Sequence, residues 1–271
     1  MPPLTFSCLL PVYHRDDPGH LNEALASVVE NTVSPHRIII CEDGDIPPIL
    51  DAVIRDYQQY NLLRIRNTGA NGLHHNLNYA LPYVETPWIC RCDADDINMP
   101  DRFEKQIRYL KANPDVDVLG TCITEFDPHG GIRKKSMPIG PDHVAQWAGK
   151  RNPINHMTAF VRTDSIRACG GYPDVPLKED YALWLLMLAR GYQLDNLPEP
   201  LVRARMGESF HARRGGWHNF RSEWAIMNLK LSVPQISASD ALLFFAIRSG
   251  VLLGGAPLTK AFYNIVLRER S

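Results

Sequence analysis

Between residues 6 and 96, four short apolar runs alternate with three helical stripes, and this alternation limits the chain more than any other feature. The runs are Phe6 to Leu10, Arg37 to Cys41, Leu62 to Ile65 and Trp88 to Cys92. Between them Leu21, Ala24, Leu25, Val28 and Val29, then Ile49, Leu50, Val53, Ile54 and Tyr57, then Leu73, Leu77, Ala80, Leu81 and Val84 recur at helical spacing. Strand and helix in turn predict an α/β fold with a doubly wound parallel sheet. Such sheets bind ligands beyond the carboxyl ends of their strands. Three polar clusters stand there: Tyr13 to Asp17, Glu42 to Asp45, and Asp93 to Asp96.

The second half is less regular. Pro100 to Ala112 predicts a helix with proline at its first position. Val116 to Phe126 and Ile132 to Lys135 flank a hairpin turn, and Met157 to Val161 predicts a strand. Tyr181 to Ala189 is a strongly apolar helix ending at Gly191. Three apolar helical stretches follow Trp217. The most hydrophobic, Ala241 to Gly255, is broken by Arg248 and too short to span a bilayer. The expected division is a catalytic unit over 1–215 and a helical extension over 216–271.

A net charge of −1 supplies no global field for nucleic acid, and 45% apolar residues exclude a solvated disordered chain. The charge is uneven. Residues 201–271 carry ten Lys/Arg against four Asp/Glu, and the rest is acidic. That asymmetry suits a cation site in the body and an anionic partner at the basic end, or simply a solvated tail. Six cysteines without a CxxC spacing read as free buried thiols in a reducing compartment. No secretion signal follows Met1, so the expected location is the cytoplasm, with peripheral contact at the inner face of the membrane through the C-terminal helices.

Asp93-Ala94-Asp95-Asp96 is the strongest local signal. Three carboxylates at a strand end repel one another unless a cation sits among them, and hard oxygens suit Mg²⁺ or Mn²⁺. Asp96 or Asp101 could instead cap the next helix. Glu42-Asp43-Gly44 fits a plain turn or a carboxylate that meets a nucleobase or ribose. Asn71-Gly72 carries the same two readings. Glu179-Asp180 suits helix capping when taken singly, and a general base when taken with the other clusters. His156 follows a polar loop, and His211 lies among Arg203, Arg205, Arg213 and Arg214, where it could complete a metal shell or hold a diphosphate. His74 and His75, adjacent in sequence, are expected on different sides of a helix.

The order of these clusters resembles the family 2 glycosyltransferases of bacterial surface-polysaccharide synthesis. The matching segments are Leu10-Pro11-Val12-Tyr13, Glu42-Asp43-Gly44, Asn71-Gly72 with Leu77-Asn78, and Arg91 to Asp96 with Pro100 and Arg102. Asn152 to Phe160, Gly170-Gly171-Tyr172 and Glu179-Asp180-Tyr181 extend the match to about residue 205. The resemblance implies a GT-A fold, a mixed and mostly parallel sheet flanked by helices, with extra C-terminal helices. It implies transfer of a sugar, with inversion, from a uridine- or thymidine-diphosphate donor to a hydroxyl of a glycan or lipid-linked acceptor. Pro11, Tyr13 and Asp43 would line the nucleoside pocket together with Asn71, Arg91 and Ala94, and Asp93 would contact the ribose. Asp95 would ligate Mn²⁺ or Mg²⁺, with His211 as a further ligand. Asp180 would be the base, Glu179 and His156 would lie at the donor and acceptor, and Arg205 would close over the phosphates. Glu42 departs from the aspartate common at that position, and beyond residue 215 nothing aligns.

Two other classes share parts of this pattern. A nucleotidyltransferase would carry a glycine-rich basic loop after the first strand, and no glycine precedes Gly19. A non-catalytic sugar-nucleotide or polysaccharide-binding module would have no need of Asp180.

Overall fold

The computed structural model describes residues 4–127, 130–206 and 217–253. The first half alternates as expected. Strand β1 (Phe6–Val12) leads to helix α1 (Pro18–Val29), β2 (Arg37–Asp43) to α2 (Pro48–Arg55), β3 (Leu62–Asn67) to α3 (Leu73–Ala80), and then comes β4 (Trp88–Arg91). A two-residue strand β5 (Ile97–Asn98), helix α4 (Arg102–Ala112), and strands β6 (Val116–Phe126) and β7 (Ile132–Lys135) follow. Next are α5 (Pro141–Trp147), β8 (Phe160–Arg162), α6 (Thr163–Ala168), α7 (Glu179–Ala189) and β9 (Gln193–Arg205). Two helices, α8 (Trp217–Leu231) and α9 (Ala238–Leu253), come last among the described residues.

All strands join one mixed sheet in the order β3-β2-β1-β4-β8-β6-β9-β5, with β7 on β6. The first four are mutually parallel, and so are β6 and β9. β8 runs antiparallel to both neighbours and joins the two halves. Strand order reverses between β1 and β4, which opens a crevice at their carboxyl ends.

Pro11 does not stop β1, which runs on to Val12. The Leu9 carbonyl accepts from the Cys92 amide, so by alternation the Pro11 nitrogen faces the same side. The last β1–β4 pair is Leu9 with Arg91, so β4 makes no demand on the missing N–H.

Each face of the sheet buries one apolar cluster. On one side Leu21, Leu25, Leu50, Ile54, Phe103 and Ile107 pack from α1, α2 and α4. On the other, Leu77, Val144, Trp184 and Leu188 pack from α3, α5 and α7, and Ile226, Val233 and Ala241 extend that cluster into the C-terminal segment. Helix α7 is apolar on nearly every face because it is covered by the sheet and by α8. All six cysteines are free and buried.

Three local expectations change. Helix α4 begins at Arg102 rather than Pro100, and its N-cap Asp101 pairs with Lys105 at 2.7 Å instead of capping. The strand expected at Met157 to Val161 is a 3₁₀ turn over His156–Thr158 followed by β8, because the Thr158 side chain bonds the Asn155 carbonyl and closes the turn. The rings of His74 and His75 lie 3.9 Å apart between centroids, on one side of the first turn of α3.

Candidate active site

The carboxyl ends of β1, β2 and β4 present their acidic clusters to one crevice. Asp93, Asp95 and Asp96 each offer an oxygen within 4.8 Å of the others. Arg91, only 1% exposed at the end of β4, holds an Asp93 oxygen at 2.6 Å. Arg91 also places its guanidinium on the Cys92 carbonyl. Asp96 is buried. One oxygen accepts the Arg205 backbone N–H at 2.9 Å, and the other has no partner. It caps nothing. Asp95 is exposed at the mouth, and Ala94 between them is buried.

The carboxylates of this cluster repel one another and are desolvated. Burial raises Asp96 well above the usual carboxylate range, and the charges of Asp93 and Asp95 add to it. The walls of the crevice and Asp93 raise Asp95. Asp16, at the end of β1, is pushed to about 6 by burial, with Asp95 and Asp93 adding to the shift. One of its oxygens accepts the Tyr13 N–H at 2.7 Å, which opposes that shift. Three clustered carboxylates, one of them with a buried oxygen that lacks a partner, make an all-oxygen donor set that fits a hard divalent ion.

Asp43 ends β2. One oxygen accepts the Gly72 N–H at 3.2 Å, and the other is buried without a partner. Gly72 has φ of +122°, which lets its N–H turn toward Asp43. Asn71 beside it is exposed. Pro11 is half-buried and Tyr13, one residue beyond β1, is 40% exposed. Glu42 points the other way. It is buried against Arg64 at 2.6 Å and Arg66 at 3.2 Å, both on β3. The extra methylene of glutamate therefore reaches a structural ion triad and leaves Asp43 untouched.

Glu179 and Asp180 are the first two residues of α7. Asp180 accepts the Asn152 side-chain amide at 2.6 Å and the Tyr181 N–H at 2.7 Å. Burial raises its pKa, opposed by those two hydrogen bonds. Glu179 is pushed up to about 7 by burial and by Asp180, and it also feels Arg91 and Asp93. The start of α7 is thus within electrostatic reach of Arg91 and Asp93. His156 is buried and bonds the Tyr172 hydroxyl at 3.1 Å, and burial with the nearby Arg91 charge holds it well below its usual value, hence neutral. Arg205 reaches the Asp95 carbonyl at 3.2 Å and Glu23. His211, Arg213 and Arg214 lie outside the described residues.

Asn152 and Tyr172 were not singled out from sequence, although both sit in matching segments. Their signal was a turn-forming Asn-Pro and a double glycine, which point to backbone shape rather than to chemistry. Arg102 is another such residue. Buried at the start of α4, it bonds the Arg91 carbonyl at 2.9 Å and the Gln106 side chain at 3.0 Å, and so fixes the floor beneath Asp93.

The raised Glu179 has a consequence for stability. Between the ordinary value of 4.5 and about 7 the folded protein keeps a proton that the unfolded chain releases. Stability of the metal-free protein therefore falls as pH rises through that window. Glu179→Gln is expected to flatten this slope and raise the melting temperature at pH 8. The gain is on the order of 1 kcal/mol after screening at a half-buried site. Thermal melts from pH 5 to 8 check it; parallel curves for the two proteins count against it.

A mixed sheet of this order with an acidic cluster beyond its central parallel strands is the GT-A architecture. The family model "Glycosyl transferase family 2" matches residues 7–178, and the chain belongs to that family. It is 34% identical to the amylovoran biosynthesis glycosyltransferase AmsE of Erwinia amylovora, over 90% of this chain and 92% of that one. It is 35% identical, over 97% of each chain, to an Escherichia coli enzyme named UDP-Gal:alpha-D-GlcNAc-diphosphoundecaprenol beta-1,3-galactosyltransferase. Among solved structures it is similar to S. aureus TarS 1-349 in complex with UDP-GlcNAc, with a TM-score of 0.72 and 16% identity over 97% of this chain and 76% of that one. The mannosyltransferase PcManGT from Pyrobaculum calidifontis, in complex with GDP-Man and Mn²⁺, aligns with a TM-score of 0.63 and 16% identity over 96% and 78% of the two chains.

Proposed function

We propose that this glycosyltransferase moves a hexose, with inversion, from a uridine- or thymidine-diphosphate sugar to a hydroxyl of a lipid-linked glycan, with Mn²⁺ or Mg²⁺ bound at the β4 cluster. The observation that carries it is the convergence of Asp43, Asp93–Asp96 and Glu179–Asp180 on one crevice.

The free Asp43 oxygen is buried and lacks a donor, which suits the imide N–H of uracil or thymine. Asp93, oriented by Arg91, has a second oxygen for a ribose hydroxyl. Tyr13, Pro11, Asn71 and Ala94 supply the walls. Asp95 and the unpartnered Asp96 oxygen would hold the ion, which when bound neutralises charge on the departing diphosphate. Asp180 takes the proton of the acceptor hydroxyl. Its two hydrogen bonds stabilise the carboxylate form against burial, and Asn152 fixes which way it faces. Glu179 and Tyr172, backed by the neutral His156, would position the sugars, and Arg205 ties the end of β9 to the cluster.

The lipid-linked acceptor rests on the name of the Escherichia coli relative and on the C-terminal helices. No described helix is long and apolar enough to cross a membrane. Trp224, Leu231, Leu242 and Leu243 of α8 and α9 are nonetheless exposed, and they belong to the segment 201–271 that is basic in sequence. Residues 216–271 are accordingly assigned as a membrane-facing extension of the catalytic unit over 1–215.

The test offers UDP-galactose, UDP-N-acetylglucosamine and thymidine-diphosphate glucose with a GlcNAc-diphospholipid acceptor, in anionic vesicles or in detergent. Transfer with one donor, inverted by NMR, abolished by excess EDTA and faster in vesicles is expected. Full rate in EDTA would remove the metal, a retained anomer would remove the inverting mechanism, and equal rates in both dispersions would remove the membrane contact.

A further inference from the structure

The chain just before Glu179 is held in an unfavourable shape. Leu177 has φ of +64°, a left-handed conformation that branched side chains avoid. Its side chain is 57% exposed, so burial does not hold it there. Lys178, the N-cap of α7, makes no side-chain capping bond to the helix. Contacts from the C-terminal helices help to hold the start of α7 in place.

The Ser222 hydroxyl of α8 donates to the Pro176 carbonyl at 3.1 Å. The Glu223 carboxylate, 7% exposed, pairs with Lys178 and with Arg248 of α9, the latter at 3.0 Å. Lys230 places its ammonium 5.5 Å from the centre of the Tyr181 ring, and the Tyr181 hydroxyl bonds the Ala148 carbonyl. Helix α8 thus touches Pro176, Lys178 and Tyr181, on both sides of Glu179–Asp180. Removing the buried Glu223 charge leaves two cations facing each other where one carboxylate joined them.

We propose that Glu223, assisted by Ser222, is a positioning residue for the transfer reaction: it clamps the strap Pro176–Lys178 to α8 and so fixes the Asp180 carboxylate toward the acceptor. The role rests on Asp180 being the base. It gives the C-terminal helices a part in catalysis, separate from any contact with a membrane.

The experiment compares Glu223→Gln, Glu223→Asp and Ser222→Ala in the full chain by two readouts. The first is hydrogen exchange of the peptide covering residues 176–181, which needs no substrate. In Glu223→Gln this peptide should exchange about tenfold faster while the sheet peptides stay protected. The second is turnover with UDP-galactose or UDP-N-acetylglucosamine. Here kcat should fall about tenfold or more with KM for the donor unchanged, because a base displaced by about 1 Å loses rate and not donor affinity. Glu223→Asp keeps the charge and should return most of the rate. If Glu223→Gln does not fold, Ser222→Ala carries both readouts with smaller changes in the same direction. Unchanged exchange at 176–181, or faster exchange with unchanged kcat, overturns the proposal. Failure of the base assignment looks different: Asp180→Asn would then keep its rate, whatever the exchange at 176–181.

Discussion

Asp180→Asn is expected to lower the transfer rate by about 10²- to 10⁴-fold, the usual contribution of a positioned base. Binding of nucleoside diphosphate should stay within about twofold, because the carboxylate lies at the mouth of α7 and not among the β-strand ends that form the nucleoside pocket. The amide is nearly isosteric and can still accept the Tyr181 N–H. Its new amide nitrogen then faces Asn152, which can flip its own amide to accept from it at the cost of its 3.3 Å bond from the Ile154 N–H. Stability should therefore change little. Initial rates with acceptor in excess, a UDP titration and a thermal melt separate these effects. A variant with near-native turnover would exclude Asp180 as the base. A variant that loses UDP binding as well would move the residue into the donor site. The pH profile adds a second check. Burial raises Asp180, so the acid limb of kcat/KM should lie above the ordinary aspartate range, and it should be absent in the variant.

Asp95→Asn should separate activity from stability in opposite directions. In the metal-free protein Asp95 stands with Asp93 and Asp96, and its own pKa is raised by desolvation and by Asp93. A group whose folded pKa is raised costs stability above that pKa, so the neutral amide relieves the cluster near pH 7.5. The gain is small at an exposed position, roughly 0.5 kcal/mol. With Mn²⁺ and UDP together the sign reverses. The wild type should gain several degrees of melting temperature, as expected for a ligand well above its dissociation constant, and the variant should gain almost none. Turnover should fall by about 10²-fold or more as charge stabilisation on the leaving diphosphate is lost. Equal metal-dependent shifts for the two proteins would place the ion elsewhere.

Much of this architecture is legible in the sequence because the donor half is built from local pattern. Arg37 to Cys41 is β-branched and lies between Val29 and a turn, so it must be a buried strand, and the acidic residues after it must lie at the strand end. The same logic places Asp93 to Asp96. The rest depends on pairing between distant segments, which periodicity does not encode. Nothing local says that β8 inserts between β4 and β6, or that β6 and β9 run parallel over most of their length. The 3₁₀ turn at His156 arises from one hydroxyl on one carbonyl. Asp101 resembles a cap and pairs with Lys105 instead, and Glu42 resembles a ligand and serves Arg64 and Arg66. In each case the residue type was informative and its direction was not. Direction is set by which neighbour the tertiary fold supplies.

The six buried thiols give the enzyme a built-in clock. Cys8, Cys90 and Cys92 lie side by side in β1 and at the end of β4, Cys92 next to Asp93 in the chain, and each is less than 3% exposed. An alkylating reagent added to the native enzyme meets no accessible sulfur among these three, so labelling there waits for the central strands to part. The rate at which those sulfurs are captured therefore counts openings of the donor-binding end of the sheet, and any nucleotide seated above them slows the count without touching a single cysteine.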